Sequence, residues 1–110
     1  MNNYIVTLKY TKMGYDTLKV SPGRSGKMMA IMREKFGGGI KDYWLTMGGD
    51  CDFVVLFEAP DDKTMMKILL EVNRLGAVTT TVMRAFTRAE FGEIVDELPD
   101  KSVFSELAPA

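Results

Sequence analysis

Along Tyr4–Thr11, YIVTLKYT, apolar and polar positions alternate. Tyr4, Val6, Leu8 and Tyr10 share one face, and Ile5, Thr7, Lys9 and Thr11 the other, which is the two-residue period of a strand. Residues 12–20 break the pattern and read as a loop turning at Gly14. Ser21-Pro22 then opens a helix, with Ser as cap and Pro at the first helical position. Met28, Ile31, Met32 and Phe36 recur at helical spacing, and Gly37-Gly38-Gly39 ends the run. Ile40–Met47 and Asp52–Glu58 read as two strands joined by Gly48-Gly49-Asp50-Cys51, a link short enough to make them antiparallel. Asp61 or Asp62 caps a second helix with a stripe of Met65, Ile68, Leu69 and Val72, with Leu75 beside it and Gly76 as the stop. Ala77–Phe86, rich in β-branched residues, reads as a fourth strand. Thr87-Arg88-Ala89-Glu90 is a capping box for a short third helix reaching about Leu98. Pro99-Asp100 breaks that helix, so residues 1–98 form the domain and 99–110 a C-terminal arm.

The order is β-α-β-β-α-β plus a terminal helix. Right-handed crossovers turn it into a four-stranded antiparallel sheet with both main helices on one face. Phe53–Phe57, FVVLF, is apolar at five consecutive positions, so that strand needs cover on both sides. Two helices cover one face. The other is expected to pair with a second subunit across a two-fold axis, as a dimeric α+β barrel.

Composition narrows the chemistry. The 110 residues make one domain, and 46% of them are hydrophobic. A net charge of −1, from 14 basic and 15 acidic residues, lacks the basic patch of a nucleic-acid binder. No apolar run approaches the ~20 residues of a membrane span. The start, MNNYIVTLKY, lacks a signal-peptide pattern, and the single cysteine suits a reducing compartment, so a cytoplasmic location is expected. The chain has no histidine. That excludes histidine-based triads and histidine-ligated haem, and leaves metal sites without their usual ligands. No metal and no other cofactor is expected.

Several residues are candidates for a site, each with a plainer alternative. Asp50 and Asp52 flank Cys51 at the glycine corner; they are either a carboxylate pair for acid–base work or ordinary turn chemistry. Cys51 is a nucleophile only if a cation lowers its pKa, and otherwise a small half-buried side chain. Arg24 lies in the first helical turn, where the dipole disfavours a cation; it is either an anion clamp or the partner of a nearby acid. Lys9 and Arg84 are charges within strands, either lining a cavity or lying near an edge. Tyr10, Tyr43 and Trp44 are either an aromatic pocket wall or core and interface. Gly23-Arg24-Ser25-Gly26-Lys27 mimics a phosphate loop, but the spacing is short and no strand precedes it directly. Five of the nine methionines fall in the two main helices and read as soft packing.

The chain resembles the GYD-domain proteins, a family of small bacterial proteins. The likeness runs from Tyr4 to about Leu98. It rests on Tyr4-Ile5-Val6, Leu8-Lys9-Tyr10-Thr11, Gly14, Ser21-Pro22-Gly23-Arg24, Leu45-Thr46-Met47-Gly48, Asp52-Phe53-Val54-Val55, Glu58-Ala59-Pro60-Asp61-Asp62 and Arg84-Ala85-Phe86-Thr87. It implies a ferredoxin-like α+β fold of the dimeric-barrel kind. The family's signature, Gly-x-Tyr-Asp, belongs at the corner between strands two and three. Here Cys51 stands where the tyrosine would be, and the corner looks one residue longer. Gly14-Tyr15-Asp16 spells the signature literally but falls in the first loop. The expectation is a homo-oligomer, homodimer or higher, that binds a small organic molecule. The alternatives are a cofactor-independent monooxygenase- or isomerase-like enzyme and a structural or regulatory subunit.

Overall fold

The computed structural model describes residues 1–107. Its sheet has four strands: β1 (Asn2–Tyr10), β2 (Gly39–Leu45), β3 (Phe53–Ala59) and β4 (Val78–Ala85). They lie in the order β2-β3-β1-β4, and every pair is antiparallel. Two long helices, α2 (Ser21–Phe36) and α3 (Asp62–Arg74), make the crossovers. A short α1 (Lys12–Asp16) precedes them, and α4 (Arg88–Asp96) follows β4. The α+β, ferredoxin-like arrangement read from the sequence is therefore present. Residues 108–110, the end of the expected arm, lie outside the described residues.

Three helix starts follow from short polar side chains. The Asp61 carboxylate accepts the Thr64 N–H at 2.7 Å and opens α3. Thr87 and Glu90 satisfy each other's backbone amides and open α4, as their spacing predicted. Thr11 accepts the Gly14 N–H and starts α1, which corrects the expected loop. One turn of 3₁₀ helix, Leu18–Val20, leads from α1 straight into α2. Ser21 is consequently already helical rather than the cap, and its hydroxyl is left for the Tyr10 phenol at 3.2 Å. Gly14 permits this compact entry. A Cβ there would sit 2.1 Å from the Ala77 carbonyl oxygen.

The register places Tyr4, Val6 and Leu8 opposite Phe57, Val55 and Phe53, and Val6 also opposite Val82. These side chains face the helices. Val55 and Phe57 are buried and Phe53 is half-buried, the shared face that their alternation predicts. From α3 come Met65, Ile68, Leu69 and Val72, all buried, as expected. From α2 only Met32 is buried; Met28 and Phe36 pack partly against the core. Ile31, expected in that stripe, is exposed. Ile31 is one residue from Met32, about 100° around the helix, and so points away from the sheet.

In β2 the register shifts between Ile40 and Asp42, a β-bulge at Lys41. One extra residue reverses the facing of everything after it. Tyr43 and Leu45 therefore point toward the helices, and Asp42 and Trp44 away. The second face of the sheet carries Ile5, Trp44, Val54, Leu56 and Met83, and no helix of the described residues covers it. Trp44 is 53% exposed there.

The described residues span 59 × 31 × 20 Å with a radius of gyration of 18.1 Å. A compact chain of this length has about 13 Å. The excess lies in α4 and the residues after it, which add nothing to the core.

Two measurements check this picture. Gly14→Ala is expected to lower the unfolding free energy by about 1–3 kcal/mol, the usual cost of forcing atoms into a packed site. Gly26→Ala, inside α2 and facing open space, is expected to raise it by about 0.5–1 kcal/mol. Urea midpoints read both. The Thr64 amide holds the Asp61 carboxyl below the ordinary aspartate pKa. A depressed folded-state pKa gives stability that is present above the unfolded value and lost as pH falls through the folded one. Asp61→Asn keeps an acceptor but cannot titrate, so it is expected to flatten the acid limb of urea midpoint against pH.

Candidate functional site

Between the helix-facing side of the sheet and α2 lies a cavity of about 430 Å³. That is within the usual range for a small-molecule pocket. Its floor is apolar: Val6, Leu8, Phe53, Val55, Phe57 and Val78. Met28, Met29 and Met32 of α2 form the roof, and Leu69, Val72 and Leu75 close one side. Tyr43 and Leu45 stand on the edge strand, turned inward by the bulge at Lys41.

The polar groups gather at the N-terminal end of α2. The Tyr10 and Ser21 hydroxyls pair at 3.2 Å. Tyr10 also sits edge-on to Phe53, with ring centroids 5.1 Å apart, and tilted against Tyr15 at 5.2 Å. Arg24 lines the cavity and donates to the Thr17 hydroxyl at 3.0 Å. Among the described residues no carboxylate lies within ion-pair distance of it. It is half-buried and, among the described residues, the only charged side chain in the lining. The ion pair that would explain a cation in the first helical turn is not there.

The structure thus brings Tyr10, Arg24 and Tyr43 together and disperses the other candidates. Trp44 follows Tyr43 directly in β2 and so lies on the opposite face, away from the cavity. Lys9 is exposed on that same far face. Arg84 faces the helix side but stands beside Tyr4, outside the cavity lining. Its guanidinium stacks on the Phe86 ring at 4.5 Å, pairs with Glu90 at 3.7 Å and donates to the Ala85 carbonyl.

The glycine corner is a clasp, and it does not line the cavity. Gly48 and Gly49 both take positive φ, at 96° and 83°, which turns the chain. The Asp52 N–H donates to the Leu8 carbonyl at 2.8 Å, and its carboxylate accepts the Tyr10 N–H at 2.8 Å. Asp52 in this way satisfies the backbone at the end of β1. The Tyr15 hydroxyl donates to the other carboxylate oxygen at 3.3 Å, and the Asp52 charge raises the Tyr15 pKa. The Thr46 hydroxyl donates to the Cys51 carbonyl at 2.6 Å, and the Cys51 sulfur lies 3.7 Å from that hydroxyl. Asp50 is exposed and does not share these bonds.

Other displaced ionisations are structural as well. Burial raises the Tyr4 pKa, helped by its hydrogen bond to Asp62 at 2.5 Å. The Arg33 guanidinium, 2.7 Å away, lowers that of Glu58, and the Thr87 amide that of Glu90. Among the described residues no cluster of three or more acids, cysteines or histidines is arranged to hold a metal ion. No helix of the described residues is long and apolar enough to cross a membrane.

Sequence reasoning passed over Ser21, Thr17 and Met29. Ser21 looked like a cap, and Thr17 sat in a presumed loop. The inward phase of Tyr10 in β1 was the one available signal for the hydroxyl pair. No curated protein and no solved structure matches the chain. The family model of the GYD domain does match it, over residues 4–95, and so the chain belongs to the GYD domain family.

Proposed function

We propose that the protein is a homo-oligomer that binds a small, mainly apolar organic molecule carrying an anionic group. The ligand occupies the cavity under α2, and Arg24 holds the anion. One observation carries this reading: an apolar cavity whose single charged lining group is a cation with no carboxylate partner among the described residues. A half-buried guanidinium without a counter-charge favours a carboxylate, sulfonate or phosphate arriving from outside. Its place in the first turn of α2 adds to this, because the helix end also favours negative charge.

Binding is favoured over catalysis by the same lining. Among the described residues no carboxylate, lysine or cysteine reaches the cavity, so none of them offers a general base there. A cofactor-independent enzyme would have to rely on the Tyr10–Ser21 hydroxyl pair beside Arg24. The homo-oligomer rests on the uncovered sheet face, whose apolar residues one chain leaves in water.

Calorimetric titration with decanoate and with decanol tests the ligand reading. Decanoate is expected to bind, and decanol to bind about 10- to 100-fold more weakly, the worth of a hydrogen-bonded charge at about 1.5–3 kcal/mol. Arg24→Met is expected to erase the difference between the two. Equal binding of both compounds to the unaltered protein would remove Arg24 as the anchor. Binding of neither would remove the cavity reading.

A further inference from the structure

Two hydroxyls at the α2 end of the cavity have more hydrogen-bonding capacity than they use. The Tyr10 phenol and the Ser21 hydroxyl meet at 3.2 Å, and either can be the donor. Whichever donates, the O–H hydrogen of the other has no partner among the described residues. Both residues are half-buried, and both line the cavity. A ligand that fills this end takes the pair out of water. It loses affinity unless it replaces the bonds that water made.

The pair stands beside the cation. Ser21 and Arg24 are three residues apart in α2, a spacing that makes their side chains neighbours on the helix surface. Arg24 gives one N–H to the Thr17 hydroxyl at 3.0 Å, and the rest of its fork is unpartnered among the described residues. The other hydroxyls of the lining differ. Ser25 donates to the Pro22 carbonyl at 3.0 Å, and Thr80 to the Asn73 side chain at 3.2 Å. Tyr43 stands level with Val55 and Val6, four residues back along β1 from Tyr10, or about 13 Å away.

The phenol is also held in place. Phe53 meets its ring edge-on at 5.1 Å, and Tyr15 lies tilted against it at 5.2 Å. Gly14 leaves room for it, since a Cβ there would come within 2.7 Å of the ring. Asp52 accepts the Tyr10 N–H at 2.8 Å and the Tyr15 hydroxyl at 3.3 Å. The glycine corner and α1 therefore fix the ring whose hydroxyl enters the cavity. A polar group set in position by its neighbours needs little further ordering when it binds.

We propose that the Tyr10–Ser21 pair reads a hydroxyl close to the ligand's anionic group, so that the site prefers apolar hydroxy acids to plain ones. This rests on the reading of Arg24 as the anchor of an anion in the cavity. The ligand hydroxyl accepts the pair's uncommitted hydrogen and donates to the other oxygen of the pair. A hydroxyl further down the tail lies against the apolar floor and loses its water without return.

Calorimetric titration of the full chain compares decanoate, 3-hydroxydecanoate and 6-hydroxydecanoate. The 3-hydroxy acid is expected to bind about 3- to 10-fold more tightly than decanoate, the worth of a further hydrogen bond. The 6-hydroxy isomer is expected to bind more weakly than decanoate. Tyr10→Phe and Ser21→Ala are each expected to bring the ratio of 3-hydroxydecanoate to decanoate affinity to one or below. A change that merely loosens the cavity weakens both ligands alike and keeps the ratio. Equal binding of these two ligands to the unaltered protein would overturn the hydroxyl reading and leave Arg24 and the cavity standing. So would a preference that survives both substitutions, or one shared by the 6-hydroxy isomer. Binding of none of the three would overturn the cavity reading and this one with it.

Discussion

Val54, Val55 and Leu56 are consecutive and apolar, so β3 feeds both faces of the sheet at once. β1 does the same with Ile5 and Val6. Everything else in the molecule answers that constraint. The helices close one face and create the core of Tyr4, Val6, Val55 and Phe57 against Met65, Ile68 and Leu69. The other face is left to the residues that one chain cannot cover. Helix cover solves the problem on one side of these strands, and the proposed subunit contact would solve it on the other.

The two crossover helices do unequal work, and the cavity is the difference between them. α3 presses four residues into the core and lies close to the sheet. α2 presses only Met32. The sheet under α2 is consequently apolar but not filled. Packed interiors leave few voids larger than a water molecule, so the space under α2 stands apart from the filled core beneath α3.

The strands, α3 and the α4 capping box were legible in the sequence because each rests on local pattern: alternation, a strong stripe, a cap at fixed spacing. The candidate site was legible only in part, because it depends on facing. Alternation alone put Tyr10 toward the helices. Nothing in the local sequence announces the bulge at Lys41, and without it Trp44 and not Tyr43 would face α2. α1 was hidden for a similar reason. Its start depends on Thr11 and on Gly14 fitting under the Ala77 carbonyl, a contact between residues far apart in the chain. The acids at the glycine corner attracted notice as chemistry, but Asp52 takes up backbone groups at the end of β1.

The methionine roof has one more consequence. Met28, Met29 and Met32 each turn about three side-chain bonds, and a thioether is more polarisable than a branched aliphatic group. Such a ceiling has no fixed contour. It can settle onto a flat ring or a bent chain at similar cost, while the sheet beneath stays rigid. A ligand of the proposed kind would then be chosen by electrical sign at one end and by oiliness along its length, with little demand on its outline.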